Sequence, residues 1–112
     1  MPKDPYCLEA LVFTANWCDP CFDSIPLMNR ILAQSGVFKK VHTIHDHKDP
    51  DICQFYGILG FPTIVFRVVH STRTWEIPYS RMIGICNQRT LEEQINKCLQ
   101  YKNDLQNGNI LA

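Results

Sequence analysis

No stretch of this 112-residue chain comes near the roughly 18 consecutive apolar residues that a membrane span requires. Net charge is lacking too. Eleven basic side chains balance eleven acidic ones, so nothing in the overall field draws the chain to nucleic acid or to an anionic membrane surface. The N-terminal residues lack the basic start and long apolar run of a secretory signal and carry Pro2, Asp4 and Pro5 instead, which points to a cytoplasmic chain. There is no internal repeat and no linker-like stretch, and the length suits one domain with its own core.

Six cysteines are present, but a reducing compartment keeps most thiols free, and a chain with 46% hydrophobic residues needs no disulfide framework. Two of the six stand apart. In Trp17-Cys18-Asp19-Pro20-Cys21 the sulfurs can exchange a bridge with almost no backbone movement, which reads either as a redox dithiol or as half of a zinc site. Zinc needs four ligands, usually from a second such pair or from closely spaced histidines. The chain has no second pair, and strand alternation separates His42 from His45 and His47, so these read as solvated strand-end residues along with Lys48 and Asp49. No metal is expected.

The elements follow from pattern. Leu8 to Ala15 is a nearly continuous apolar run, as in a strand covered on both faces. From Pro20, the residues Ile25, Met28, Ile31 and Leu32 recur at helical spacing up to Gly36, which places Cys18 at a helix entrance and Pro26 inside the helix. Val37 to Asp46 reads as a second strand, parallel to the first through this crossover. Asp49-Pro50 opens a short helix that ends at Gly57. Thr63 to Val69 and Arg73 to Tyr79 form a hairpin, and Thr90-Leu91-Glu92-Glu93 is a capping box for a last helix with Leu91, Ile95, Cys98 and Leu99 on one face. Residues 1–7 read as an extension, 8–102 as the domain and 103–112 as a flexible polar tail.

A thiol attacks a disulfide only as the thiolate. The unpaired amides and macrodipole at a helix N-terminus favour that anion on Cys18, whereas Cys21, one turn further in, is the less exposed and less acidic of the two. Cys18 is therefore the attacker and Cys21 the resolver.

The chain resembles the thioredoxin family from about Leu8 to Tyr101. The resemblance rests on Trp17-Cys18-x-Pro20-Cys21 after an apolar strand, Pro26 five residues past Cys21, Tyr56-Gly57-Ile58-x-Gly60-Phe61-Pro62-Thr63, and Gly84 before the last helix. It implies an α/β thioredoxin-like fold with a mixed four-stranded sheet flanked by helices, truncated at the N-terminus. It also implies that Pro62 is a cis-proline beside the dithiol and that Trp17, Phe61, Gly84 and Ile85 form a shallow apolar groove for a substrate segment. The implied activity is reduction of protein disulfides by a Cys18/Cys21 dithiol, with no cofactor beyond that redox-active disulfide. The implied partners are disulfide-containing proteins and a thioredoxin reductase or a glutathione system.

Departures from the family matter as much. The family's buried aspartate six residues before the attacking cysteine, and its lysine partner on the next strand, are here Val12 and Thr43. Losing both avoids a buried unpaired ion but leaves Cys21 without that proton acceptor. The usual glycine after Cys18 is Asp19. At roughly 7 Å its carboxylate disfavours the Cys18 thiolate by about 0.6 to 2.4 kcal/mol for effective dielectrics of roughly 80 to 20, which makes the couple more reducing. With the preceding strand and helix missing, the second strand becomes an edge, and its polar residues discourage pairing, so a monomer is expected. Trp75 reads as a surface aromatic packed on its own hairpin. Cys53, Cys86 and Cys98 read as small core residues, and Cys7 as the most oxidisable of the remaining four. The competing reading is a thioredoxin-fold binding module whose redox chemistry is slow or incidental.

Overall fold

The computed structural model describes residues 5–111. Its elements are β1 (Cys7–Thr14), α1 (Asp19–Gln34), β2 (Lys40–His45), α2 (Pro50–Phe55), β3 (Thr63–His70), β4 (Arg73–Glu76), β5 (Met82–Ile83) and α3 (Gln88–Gln106). Four strands stand in the order β2-β1-β3-β4, with β1 and β2 parallel and the other neighbours antiparallel. A two-residue fifth strand, β5, also pairs with the start of β3, an addition too short to leave a periodic signal.

Strand alternation assigns the faces. Leu8, Ala10 and Val12 of β1 and Ile64, Phe66 and Val68 of β3 bury under α1 and α3, against Met28, Leu32, Leu91, Ile95 and Cys98. The intervening residues Leu11, Phe13 and Val65 face α2 and meet Ile44 and Cys53. Because both faces are covered, β1 reads as a nearly continuous apolar run.

Glu9 interrupts that run, and the α2 side explains why it can. A six-residue helix is only about 9 Å long and cannot cover the whole face. The uncovered part is closed by Glu9 and its cross-strand partner Arg67. Glu9 is 7% exposed, and its Oε1 accepts from Arg67 Nε at 2.9 Å and from Nη2 at 2.7 Å. Arg67 Nη1 donates to the Tyr56 hydroxyl at 3.0 Å. Burial works to lower the Arg67 guanidinium, but its bonds to Tyr56 and Glu9 outweigh that and hold it above its ordinary value. His42 Nε2 lies 3.6 Å from the same carboxylate oxygen, too far for a hydrogen bond.

Several boundaries differ from expectation. The N-cap of α3 is Asn87, whose side chain accepts from the Thr90 amide at 2.8 Å, so Thr90 sits at the third helical position instead of at the cap. Asn is the stronger N-cap by type, though Thr is also favoured there, and the chain's entry direction puts Asn87 at the cap. The helix also runs past residue 102 to Gln106, because Leu105 is buried and Gln106 Oε1 accepts from the Tyr6 amide at 3.0 Å. Of the expected extension over residues 1–7, the first four lie outside the described residues, as does Ala112 of the tail. Tyr6 stacks on His70 with ring centres 3.8 Å apart, and Cys7 already belongs to β1, opposite Val69. Trp75 does not pack on its own hairpin alone: its indole Nε1 donates to Tyr101 of α3 at 3.2 Å.

Candidate active site

β1 ends at Thr14, and α1 begins at Asp19 with Cys18 as its N-cap residue. The turn between them is held by the Cys18 amide, which donates to Ala15 O at 3.1 Å, and by the Cys21 amide, which donates to Cys18 O at 3.1 Å. Asp19 and Pro20 occupy the first turn of α1, both exposed. Pro20 costs no hydrogen bond there, since the first helical amides have no intrahelical partner.

Cys18 and Cys21 are joined in a disulfide, with their Cα atoms 5.4 Å apart. They are 4% and 3% exposed and pack against Ala15, Ile25 and Phe61. In this oxidised state exposure does not separate attacker from resolver as the sequence suggested, because the bridge holds both sulfurs in one apolar nest. Their positions do differ: Cys18 stands at the helix end, where the unpaired amides converge, and Cys21 lies inside the first turn.

The expected groove residues converge here from three separate loops. Trp17 is 69% exposed, and its ring meets Phe61 edge-on, with centres 5.4 Å apart. The Phe61–Pro62 bond is cis, and Pro62 is itself fully buried. The Gly84 amide donates to Pro62 O at 2.8 Å, tying the loop before α3 to the start of β3. Gly84 has φ +88, a left-handed conformation that side chains disfavour. That turn leaves Ile83 and Ile85 exposed on either side of it.

Sequence reasoning missed Phe22 and Ile83 as parts of this rim. Phe22 is exposed on α1 next to Cys21, off the stripe formed by Cys21, Met28 and Leu32. An aromatic residue off the buried stripe beside a dithiol was the available signal. Beside the bridge lies an open pocket of about 210 Å³, whose lining includes Thr14, Cys18, Cys21, Thr43 and His45. Val12 is fully buried in the core under α1, and Thr43, its partner across the β1–β2 ladder, accepts from Asn29 Nδ2 at 3.0 Å.

The four other cysteines are unpaired thiols. Burial pushes Cys98 up to about 12 and raises Cys86; Cys53 is raised by burial and by Asp46 and Asp49. His42 lies on the α2 face beside Glu9, while His45 lines the pocket on the α1 face. Among the described residues, no three His, Cys, Asp or Glu side chains gather where they could hold an ion.

A dithiol at a helix N-terminus, enclosed by an apolar rim on an α/β scaffold, defines a thiol–disulfide redox site. The comparisons agree with that class. A thioredoxin of Porphyra purpurea is 31% identical over 86 residues, covering 76% of this chain and 74% of that protein. A thioredoxin of Listeria monocytogenes serovar 1/2a is 27% identical over 92 residues, covering 80% and 84%. Among solved structures, a thioredoxin from Thermus thermophilus superposes with a TM-score of 0.70 at 17% identity, covering 88% of this chain and 78% of that one. Trichomonas vaginalis thioredoxin does so at 0.67 and 18%, covering 81% and 78%. These two show the shared fold. No family model matches the chain. The chain belongs to the thioredoxin family, whose members are thiol–disulfide oxidoreductases.

Proposed function

We propose that this protein reduces disulfides in other proteins. The observation that carries the reading is the Cys18–Cys21 pair at the entrance of α1, beside the exposed apolar rim of Trp17, Ile83 and Ile85. In the reduced protein the Cys18 thiolate attacks one sulfur of a partner disulfide. A mixed disulfide forms, and the partner's other sulfur leaves with the bonding pair and takes up a proton. Cys21 then loses its proton and attacks Cys18 Sγ; the intramolecular bridge forms and the second partner thiolate leaves. Two thiols are oxidised and one partner disulfide is reduced.

Trp17, Phe61, Gly84 and Ile85 shape the docking surface, with the backbone around Pro62 as the edge along which an extended partner segment lies. Pro20 and Asp19 set the first helical turn, and the Asp19 charge disfavours the Cys18 thiolate and so makes the couple more reducing. Electrons reside in the cysteine pair, so the reading calls for no bound cofactor or metal. A thioredoxin reductase or a glutathione system returns the bridge to the dithiol. The reading places the protein in the cytoplasm as a monomer acting on proteins and not on nucleic acid or membranes; among the described residues no helix is long and apolar enough to cross a bilayer.

Cys18→Ser is expected to abolish reduction of a protein disulfide, and Cys21→Ser to trap mixed disulfides that a reductant releases. Full activity in the Cys18 variant overturns the proposal. The absence of an acid at Val12 favours a second reading, a binding module with incidental redox chemistry. Its mark is partner binding that survives replacement of both cysteines and ignores reductant.

A further inference from the structure

The resolving step requires Cys21 to lose a proton where burial opposes the anion. Cys21 is 3% exposed, and the strand beneath it contributes Val12 instead of an acid. Cys21 lines the open pocket of about 210 Å³ described above, which has room for several waters, each taking about 30 Å³ of liquid volume. β2 sends two polar side chains to that pocket, Thr43 and His45. Thr43 is already engaged by Asn29. His45 stands opposite Thr14 at the end of the β1–β2 ladder, the same sheet end from which the chain turns into the dithiol. Among the described residues its ring makes no hydrogen bond to protein, and imidazole is the side-chain class suited to accepting a proton near neutral pH.

We propose that His45 accepts the Cys21 proton, through water in this pocket, during the resolving step of the reaction proposed above, on which this inference rests. The proton passes from Cys21 Sγ to water and from water to the imidazole. The thiolate then attacks Cys18 Sγ, the Cys18–partner S–S bond breaks, and the departing partner thiolate recovers a proton from the imidazolium by the same route. Apart from the two cysteines, the side chains that β1, its following turn and α1 present to the pocket carry no charge. The titratable neighbours on its own segment are Asp46 and His47, whose ring centre is 5.8 Å from that of His45.

The test mixes reduced protein, with the partly exposed free thiols Cys7 and Cys86 replaced by serine, with a symmetrical aromatic disulfide whose released thiolate is coloured. The first equivalent of colour reports attack by Cys18, and the second reports resolution by Cys21. His45→Gln is expected to slow the second phase about a hundredfold, the low end of what a positioned proton acceptor contributes, while the first phase stays within about twofold. Free imidazole restores the second-phase rate in His45→Ala, which a loss of packing alone does not allow. His47→Gln leaves both phases unchanged. An unaltered second phase in both His45 variants, or an equal slowing of both phases, overturns the assignment. Release of neither equivalent by this serine background with His45 intact refutes the reductase reading itself, which is a different result from an intact first phase.

Discussion

Replacing Glu9 by alanine is the perturbation whose cost the structure fixes most closely. The Glu9 carboxylate is nearly enclosed and accepts two hydrogen bonds from Arg67, whose side chain is only 20% exposed. Removing it leaves a guanidinium with the Tyr56 hydroxyl as its remaining side-chain partner. Breaking a buried pair from one side costs about 3–5 kcal/mol, and the surviving Tyr56 bond and partial exposure place Glu9→Ala at about 3. Against a typical total of about 5–15 kcal/mol that is a large loss, equivalent to a melting point lower by at least about 10 °C. Glu9→Gln keeps an acceptor and should cost about half as much. The double change Glu9→Leu with Arg67→Met removes both charges and should recover most of the stability. The assay is urea unfolding of the oxidised protein, comparing midpoints at constant slope. A loss below about 1 kcal/mol for Glu9→Ala would mean that the pair behaves as an exposed one, and the burial argument fails.

Three further outcomes are expected. Asn87→Ala should cost about 1 kcal/mol in the same assay and Thr90→Ala less; the reverse order would restore Thr90 as the cap of α3. The Cys98 thiol is held up to about 12 against an ordinary 9.0, so above pH 9 the unfolded chain binds fewer protons than the folded one. Stability is therefore fully present below pH 9 and falls as pH rises toward 12, by about 1.4 kcal/mol per pH unit for this thiol, and Cys98→Ala should remove that part of the slope in urea titrations from pH 7 to 11. Asp19→Gly removes an exposed negative charge next to Cys18, so screening keeps the effect at the low end: a potential higher by about 13 mV, read by equilibration with glutathione. A lower potential would reverse the sign of that argument.

Elements defined by contacts a few residues apart were legible in the chain. The dithiol at the mouth of α1, the parallel β-α-β crossover, the short α2 after Asp49-Pro50 and the hairpin after Thr63 all follow from spacing and turn chemistry. The residues of the apolar rim were legible in part: Trp17, Phe61, Gly84 and Ile85 came from the resemblance, Phe22 had a signal in its place off the buried stripe of α1, and Ile83 was placed only by the pairing of β5 with β3. The end of α3 was not legible, because residues after Asn103 are polar by composition and only the seat for Leu105 and the bond between Tyr6 and Gln106 keep them helical.

By itself, the sequence determined which side chains share a face and placed Cys18 at a helix entrance, because strand alternation and helical spacing are local properties of the backbone. Only the tertiary structure decided what meets across those faces. Glu9 found Arg67 58 residues away, and His45 came to border the pocket beside Cys21. Such pairs depend on strand register, element length and the area a short helix leaves uncovered, and no window of neighbouring residues encodes those quantities.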